Sequence, residues 1–144
     1  MSELRIEIQA GEAPPAAVEI RTLVFIEEQQ VSEREEIDGL DPDCIHFVAY
    51  RGAQAVGCAR LRPLGGTRAK VERVAVLSAQ RKSGLGRALM NAVEAEAAAR
   101  GLHDLLLHAQ VPVVGFYDGL GWQGIGPEFE EAGIRHLAMR RRIG

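Results

Sequence analysis

One short turn has glycines and charges suited to binding a phosphate group. Gly84 and Gly86 follow Arg81 by three and five residues and come directly before a segment of helical spacing. Because glycine has no Cβ, backbone N–H groups in such a turn can converge on an anion, and the dipole of the following helix favours negative charge there. Lys82 and Arg87 add positive charge. The spacing indicates a pyrophosphate cradle, although glycines also occur simply where a helix begins, and the bare pattern leaves that alternative open.

Two common phosphate-binding motifs do not match this turn. A Walker A loop needs the pattern G-x-x-x-x-G-K-[ST], which occurs nowhere in the 144 residues. A Rossmann fingerprint needs a third glycine at the position of Leu89, and it follows the first strand of a parallel sheet. Here several segments with an antiparallel strand pattern come before the turn. The sequence therefore argues against both of these nucleotide-binding folds.

The elements that must position the turn are predicted from apolar periodicity. Alternating or valine-rich segments predict strands at residues 4–8, 45–50, 55–61, 69–77, 105–108, 122–125 and 134–140. Helical spacing predicts helices that begin after Pro14, at Leu85 and at Pro112 and end near Glu28, Arg100 and Leu120. The segment 29–43 is predicted as a loop or a short helix. One α+β domain over residues 1–144 is the expected organisation.

The composition is that of a soluble globular protein. Hydrophobic residues make up 47% of the chain and charged residues 26%, which disfavours disorder and fibrous or disulfide-stabilised classes. A net charge of −3 disfavours a dedicated nucleic-acid binder. Cys44 and Cys58 suggest reduced thiols. The chain has no apolar run near the roughly 20 residues that cross a membrane and no signal-peptide pattern at its start. We therefore expect a cytoplasmic protein without a nucleic-acid or membrane partner.

The charge is unevenly distributed along the chain. Residues 1–50 contain 3 basic and 12 acidic residues, whereas residues 51–144 contain 14 and 8. Eight acidic residues lie between Glu27 and Asp43, opposed only by Arg34. Such asymmetry can steer two oppositely charged ligands to two parts of one surface, and an ordinary solvated acidic loop explains it equally well.

The order of these features resembles the GNAT acetyltransferase superfamily over nearly the whole chain. The likeness is carried by the turn Arg81-x-x-Gly84-x-Gly86 behind a valine-rich strand and by the block 115–122, GFYDGLGW. The resemblance implies an α/β/α sandwich with a mixed, mostly antiparallel sheet of about six or seven strands and about four helices. It also implies an acetyl-CoA-dependent N-acetyltransferase. A non-catalytic acyl-CoA-binding module of the same fold is the alternative.

A smaller, ElaA-like group of stand-alone bacterial members matches the ends of the chain. The matching segments are residues 24–29 (VFIEEQ), Asp38 to Asp41, His46 and residues 133–139 (GIRHLAM). The family resemblance implies that the backbone amides of six residues bind the pyrophosphate of acetyl-CoA: Lys82, Ser83, Gly84, Leu85, Gly86 and Arg87. It implies that the strand edge at Val74, Ala75 and Val76 pairs with the pantetheine arm. Many members carry an asparagine for this arm where the chain has Gln110.

Acetyl transfer also requires a proton donor for the leaving thiolate and a base for the amine. Tyr117 is the predicted acid, because a phenol can protonate a departing sulfur and recover the proton from water; a tyrosine that only packs under the sheet is the alternative. Glu72 is the candidate base. Strand alternation places it on the face of Val74 and Val76, where apolar neighbours would raise its pKa. A structurally paired Glu72, a water relay and His46 stay open as alternatives.

The acceptor is expected to be an amine. By resemblance, the acidic segment lies over the acceptor groove, where its carboxylates would favour a cationic small molecule or peptide. His46, His108 and His136 are each more often structural than catalytic in such positions, and the histidines and cysteines show no metal-ligand spacing. Neither cysteine has the context of a nucleophile, so direct transfer is predicted. The family resemblance also leaves a homodimer open.

Overall fold

A single mixed sheet of seven strands forms the centre of the computed structural model, which describes residues 3–144. The strands are β1 (Leu4–Ala10), β2 (Ile45–Arg51), β3 (Gln54–Gly65), β4 (Arg68–Val76), β5 (Asp104–Gln110), β6 (Gln123–Glu131) and β7 (Ile134–Arg142). Their spatial order is β1-β2-β3-β4-β5-β7-β6. Among the strand pairs of the described residues, only β4 and β5 are parallel, as expected for strands joined by a helical crossover. The predicted fold class is confirmed.

Four α-helices within the described residues flank the sheet. They are α1 (Pro15–Arg21), α2 (Glu33–Glu36), α3 (Leu85–Ala99) and α4 (Val114–Gly119). Helix α1 continues as a π-helical segment, Thr22–Glu28, so the helical region ends where the sequence predicts. Short 3₁₀ turns lie at Asp41–Asp43, Ser78–Gln80 and Val111–Val113. Within residues 3–144, no helix is long and apolar enough to span a bilayer.

The apolar residues that predict helix α3 from their spacing are the ones that it buries. Leu85, Leu89, Val93 and Ala97 recur at helical spacing and are all buried against the sheet. The helix ends at the predicted glycine: Gly101 has φ +74°, and the following N–H, of residue 102, donates to the Ala97 carbonyl. This is the usual way in which a left-handed residue satisfies the last carbonyls of a helix. Helix α3 is therefore anchored along the sheet with its N-terminus at the glycine turn.

The sheet divides into a fork between its two parallel strands. Strands β4 and β5 pair only over Arg68–Val71 and Asp104–Leu107. Beyond these residues β4 stays with β3, while β5 stays with β7 as far as Gln110. The inner edges of β4 and β5 therefore separate at their carboxyl ends, which is where open α/β sheets commonly bind ligands.

Strand β4 contains a bulge within this fork. Its ladder with β3 joins Ala75 to Cys58 but Glu72 to Arg60, so β4 has one extra residue between these pairs. Arg73, within the bulge, has φ +54°, a left-handed conformation that is uncommon for a residue with a side chain. The bulge bends the strand where it leaves β5.

The bulge changes which side chains share a face. Val71, before it, and Val74, after it, both pack against the core beneath α3. Ala75 packs in a second apolar cluster beneath α1. Glu72 and Val74 therefore point to opposite faces, and the prediction that placed Glu72 beside Val74 and Val76 is wrong. The alternation of faces holds only along an uninterrupted strand.

The end of the chain differs from the prediction at Trp122. This residue was expected to begin a strand, but its backbone N–H donates to the Tyr117 carbonyl and its side chain is buried beside α3. Strand β6 begins one residue later, at Gln123, and continues to Glu131. The bond from Trp122 closes the end of α4 and so holds Tyr117 in place.

Candidate active site

A cavity of about 1160 Å³ opens at the fork and receives side chains from both faces of the sheet. Eleven of the thirteen residues predicted for the site line it: Glu72, Val74, Ala75, Val76, Arg81, Lys82, Gly84, Gly86, Arg87, Gln110 and Tyr117. Ser83 is exposed on the turn, and the Leu85 side chain is buried in the core. Those two residues offer only their backbone amides.

The glycine turn presents a row of unbonded amides. No hydrogen bond joins the N–H groups of residues 82–87 to another residue in the described part of the chain. Lys82 and Gly84 both have left-handed φ, +64° and +85°. Successive N–H groups that curve around such positions form a concave anion-binding nest, and the dipole of the 15-residue helix α3 adds to it. This geometry can receive an anion such as a phosphate group.

The two glycines of the turn are needed for different reasons. Gly84 precedes α3 with φ +85° and has open space around it, so its requirement is conformational. Gly86 has ordinary backbone angles, but a Cβ there would lie 3.1 Å from the ring of Phe116. Its requirement is therefore space, since the aromatic ring on α4 lies directly over the start of α3.

Arg81 is paired with a residue that the sequence did not single out. Its two terminal nitrogens donate to the Glu28 carboxylate at 2.6 and 2.8 Å, and its Nε donates to the Val76 carbonyl at 3.0 Å. The hydrogen bond from Arg81 lowers the pKa of Glu28. Arg81 thus joins the end of the π-helical segment to the edge of β4, and its positive charge is already compensated.

Tyr117 lies on α4 beneath the mouth of the fork. Its ring makes edge-to-face contacts with Phe116 and Trp122, with centroid separations of 5.0 and 6.3 Å. Only 6% of the residue is exposed, yet it lines the cavity. Burial raises its pKa above that of a free phenol. The hydroxyl therefore stays protonated near neutral pH and is available as a hydrogen-bond donor.

Glu72 is held in an ion-pair network. One carboxylate oxygen accepts hydrogen bonds from Arg60 and Arg62, both at 2.9 Å, and the other lies 3.4 Å from Lys70 Nζ. Burial by itself would raise the pKa of Glu72, but the hydrogen bond from Arg62 and the surrounding positive charges outweigh it and lower the pKa to about 2. The expected upward shift is wrong, because the bulge turns this side chain towards cations instead of valines.

Three of the six acidic residues of the segment 29–43 have carboxylates bound by arginines from other elements: Glu36, Asp38 and Asp41. Arg21 on α1 donates to Glu36 at 2.6 Å and to Asp41 at 2.9 Å. Arg60 donates to Asp38 at 2.8 Å and to Asp41 at 3.0 Å. Burial alone would raise the pKa of Asp38, but hydrogen bonding from Arg60 lowers it. These carboxylates fix the segment over the fork and are compensated in charge.

Arg73, within the bulge, completes this attachment. Its guanidinium donates to the Glu36 carboxylate and to the Asp38 carboxylate, each at 3.1 Å. Arg21, Arg60 and Arg73 were not predicted from the sequence as parts of the site. The available signal was the eight acidic residues in a short segment with a single basic neighbour, which require cations from elsewhere if they are to be buried.

A second group of polar side chains lies across the cavity, on the strands β5, β6 and β7. His108 Nδ1 is 3.1 Å from a Glu131 carboxylate oxygen, and both the His108 and His136 rings pack on Phe129. Gln110 exchanges two amide hydrogen bonds with Gln29, at 2.9 and 3.3 Å. The latter pair joins the end of β5 to the segment that follows the π-helical turn.

His46 and the two cysteines lie apart from this cavity. His46 is buried, and its Nε2 is 2.9 Å from the Asp41 carbonyl. Burial raises the pKa of the Cys44 thiol to about 11 and that of Cys58 to about 12. Neither thiol carries the lowered pKa of a nucleophile. Among residues 3–144, no cluster of three or more His, Cys, Asp and Glu side chains is arranged to hold a metal ion.

This chain is similar to several known proteins in sequence and in structure. A family model described as an acetyltransferase (GNAT) domain matches residues 12–143. The protein YyaT of Bacillus subtilis is 42% identical over 130 residues, which cover 88% of this chain and 87% of YyaT. An acyl-CoA N-acyltransferase structure from Pseudomonas aeruginosa has a TM-score of 0.84 and 29% identity, with 96% and 99% of the two chains covered. Escherichia coli ElaA, at 24% identity, has a TM-score of 0.87 and coverage of 97% and 100%.

Proposed function

The chain belongs to the GNAT acetyltransferase family and is an acyltransferase, and from that premise we propose an acetyl-CoA-dependent N-acetyltransferase that transfers the acetyl group directly to an amine. The observation that carries the proposal is the row of unbonded amides at residues 82–87, which opens into the same cavity as the fork between β4 and β5. An anion-binding site at one end and a splayed strand edge at the other suit a long ligand with a diphosphate near its middle.

The coenzyme runs from this cradle to the fork. Its diphosphate accepts hydrogen bonds from the amides of residues 82–87, while Lys82 and Arg87 supply charge. Its pantetheine arm pairs with the inner edge of β4 at Val74–Val76, since that edge has lost β5 as a partner. Arg81 binds this edge at the Val76 carbonyl. Gln110 contributes its side-chain amide to the arm and remains bonded to Gln29. The similarity to a protein described as an acyl-CoA N-acyltransferase supports this choice of ligand.

Transfer proceeds through attack of the neutral amine on the thioester carbonyl. The carbon–nitrogen bond forms, the carbon–sulfur bond breaks, and Tyr117 donates a hydrogen bond and then a proton to the departing sulfur, whose thiol has a pKa of about 8.5 in water. A backbone N–H of β4 near Val74 stabilises the oxyanion. The raised pKa of both cysteine thiols supports direct transfer over an acyl-enzyme.

The acceptor is a primary amine that arrives as a cation. The carboxylates of Glu35 and Glu131 line the cavity and make no ion pair with an arginine or lysine among the described residues. They are the groups that attract an ammonium, because Glu36, Asp38 and Glu72 are already compensated. Small molecules and peptides with a terminal or side-chain amine both meet this description.

Acetyl-CoA binding and thiol release test the proposal. Titration calorimetry measures the affinity of the purified protein for acetyl-CoA, and a thiol-detecting reagent follows turnover with a panel of amines. Gly84→Asp places a carboxylate in the cradle and is expected to lower the affinity by about 10²-fold, equivalent to nearly 3 kcal/mol. Gly84→Asn is the matched control, since asparagine tolerates left-handed φ and adds no charge.

The outcomes of this experiment separate the parts of the proposal. Weaker binding in Gly84→Asp than in Gly84→Asn, with thiol release by the wild type, supports the acetyltransferase. Equal affinities of the two variants contradict the cradle. Tight binding of acetyl-CoA without thiol release for any amine instead supports a non-catalytic acyl-CoA-binding module.

A further inference from the structure

We propose that His108 is the general base that takes the proton from the acceptor amine, with Glu131 as the residue that positions its imidazole. The inference rests on the proposed N-acetyltransferase activity and assigns a residue to the step for which Glu72 was predicted. With its pKa lowered to about 2, and with three cations around it, Glu72 is a poor acceptor of a proton at neutral pH.

The position of His108 is set by the fork. The last paired residues of the parallel ladder are Val71 and Leu107, so His108 is the first residue of β5 beyond the point where the strands separate. Leu107 and Ala109 are buried in the core beneath α3. Alternation therefore directs His108 to the opposite face, where the acidic segment covers the cavity. This is the side from which an acceptor reaches a thioester held in the fork.

Hydrogen bonding determines which ring nitrogen of His108 is available. An ionised carboxylate only accepts hydrogen bonds, so the 3.1 Å contact requires Nδ1 to donate to Glu131. In the neutral ring, Nε2 is then the proton acceptor, the arrangement in which a carboxylate orients a catalytic histidine. Nε2 makes no hydrogen bond with residues 3–144, and 24% of the side chain is exposed. The ring is held edge-on against Phe129, with centroids 4.9 Å apart.

His46 and His136 are less suited to this role. His46 is buried with its Nε2 against the Asp41 carbonyl. His136 directs Nδ1 to the Ile134 carbonyl at 2.7 Å, and its Nε2 lies 3.9 Å from Glu131. Only His108 combines an oriented Nδ1–H, an accessible Nε2 and a position at the fork.

The proton balance of the step is complete with these groups. The cationic acceptor first loses one proton to water and becomes a neutral amine. Its nitrogen then forms its bond to the carbonyl carbon, and a second proton of that nitrogen moves to His108 Nε2. The carbon–sulfur bond breaks, and the sulfur receives its proton from Tyr117. His108 releases its proton to water and Tyr117 recovers one from water, so the enzyme returns to its starting state without any further reactant.

Bromoacetyl-CoA tests the position of His108 without knowledge of the acceptor. This analogue carries an electrophilic CH₂Br group where acetyl-CoA has its methyl group. A free imidazole nitrogen beside it displaces bromide and forms a stable carbon–nitrogen bond, which peptide mass spectrometry locates. We expect one label, on His108, that acetyl-CoA prevents and that His108→Gln abolishes.

Glu131→Ala should slow labelling at least tenfold while leaving acetyl-CoA affinity unchanged, and Glu131→Gln, which retains an acceptor oxygen, should slow it less.

The matched control removes a histidine that lies just before the opposite end of β5. His103 directly precedes β5, so His103→Gln should leave the rate of labelling unchanged. With an amine that releases thiol, His108→Gln should lower kcat by about 10²–10⁴-fold with little change in the KM for acetyl-CoA. Thermal melting confirms that each variant is folded.

The labelling result separates the failure of this inference from the failure of the proposed function. If acetyl-CoA binds but the label falls on Tyr117, on another residue or nowhere, His108 does not lie at the acyl group and the inference is overturned alone. An unchanged kcat in His108→Gln has the same meaning. If acetyl-CoA neither binds nor protects, the proposed function is overturned, and the assignment of His108 with it.

Discussion

Glu72→Gln distinguishes an ion-paired carboxylate from a free catalytic base. The substitution keeps the shape of the side chain and removes the charge that neutralises its partners, of which Arg60 is only 1% exposed along its side chain. The pKa of Glu72 falls from 4.5 to about 2, and at roughly 1.4 kcal/mol for each factor of ten in proton affinity this corresponds to about 3 kcal/mol. Removing one partner of a buried ion pair typically costs about 3–5 kcal/mol, in the same range.

The direction of the pKa shift of Glu72 determines how the stability difference between the two proteins changes with pH. The folded-state pKa of Glu72 is depressed, so its contribution is fully present above pH 4.5, where the unfolded chain is also ionised, and is lost as the pH falls towards about 2. The free energy of unfolding of Glu72→Gln should therefore lie about 3 kcal/mol below that of the wild type at pH 7. The difference should shrink progressively below pH 4.5.

Urea denaturation at a series of pH values from 7 to 3 measures this difference. Glu128→Gln is the control, because its ion pair with Arg135 is largely exposed and should contribute less than about 1 kcal/mol. The reasoning is refuted if Glu72→Gln unfolds like the wild type at pH 7, or if its deficit is the same at pH 3 as at pH 7. A variant that keeps full stability but loses turnover would instead restore Glu72 as a catalytic base.

Two further predictions concern the other face of the sheet. Tyr117→Phe should lower the kcat for thiol release by about 10²–10⁴-fold, with an unchanged melting temperature because the ring contacts remain; an unchanged kcat would contradict its role as the acid. Gly57→Ala should destabilise the protein by about 1–3 kcal/mol in denaturant unfolding, because a Cβ there would lie 3.0 Å from Leu89 and 3.1 Å from the Ala75 carbonyl. Gly115→Ala, with no atom within 4 Å of the added Cβ, is its control and should be neutral or stabilising; equal losses in the two variants would contradict the packing argument.

Local patterns were sufficient for the elements that carry the cradle. The spacing of Leu85, Leu89 and Val93 defines α3, and a glycine lies at each of its ends. Each end of the helix therefore follows from residues within a few positions of it. The mixed sheet also follows, because its strands alternate in pattern and come in the order that the family resemblance implies. The binding of a diphosphate by this turn stays a prediction until acetyl-CoA affinity is measured.

By itself, the sequence determined most of the helices and strands, the glycine turn and the family, because each of these depends on residue types at short and regular spacing. Only the tertiary structure decided the surroundings of the catalytic candidates. The bulge at Arg73 turns Glu72 away from the valines. The arginines that bind Asp38, Arg60 and Arg73, lie 22 and 35 residues further along the chain. The partner of His108 is likewise 23 residues away. Proton affinity depends on which charges come within a few ångströms, and that is determined by how distant segments pack together, which no local pattern records.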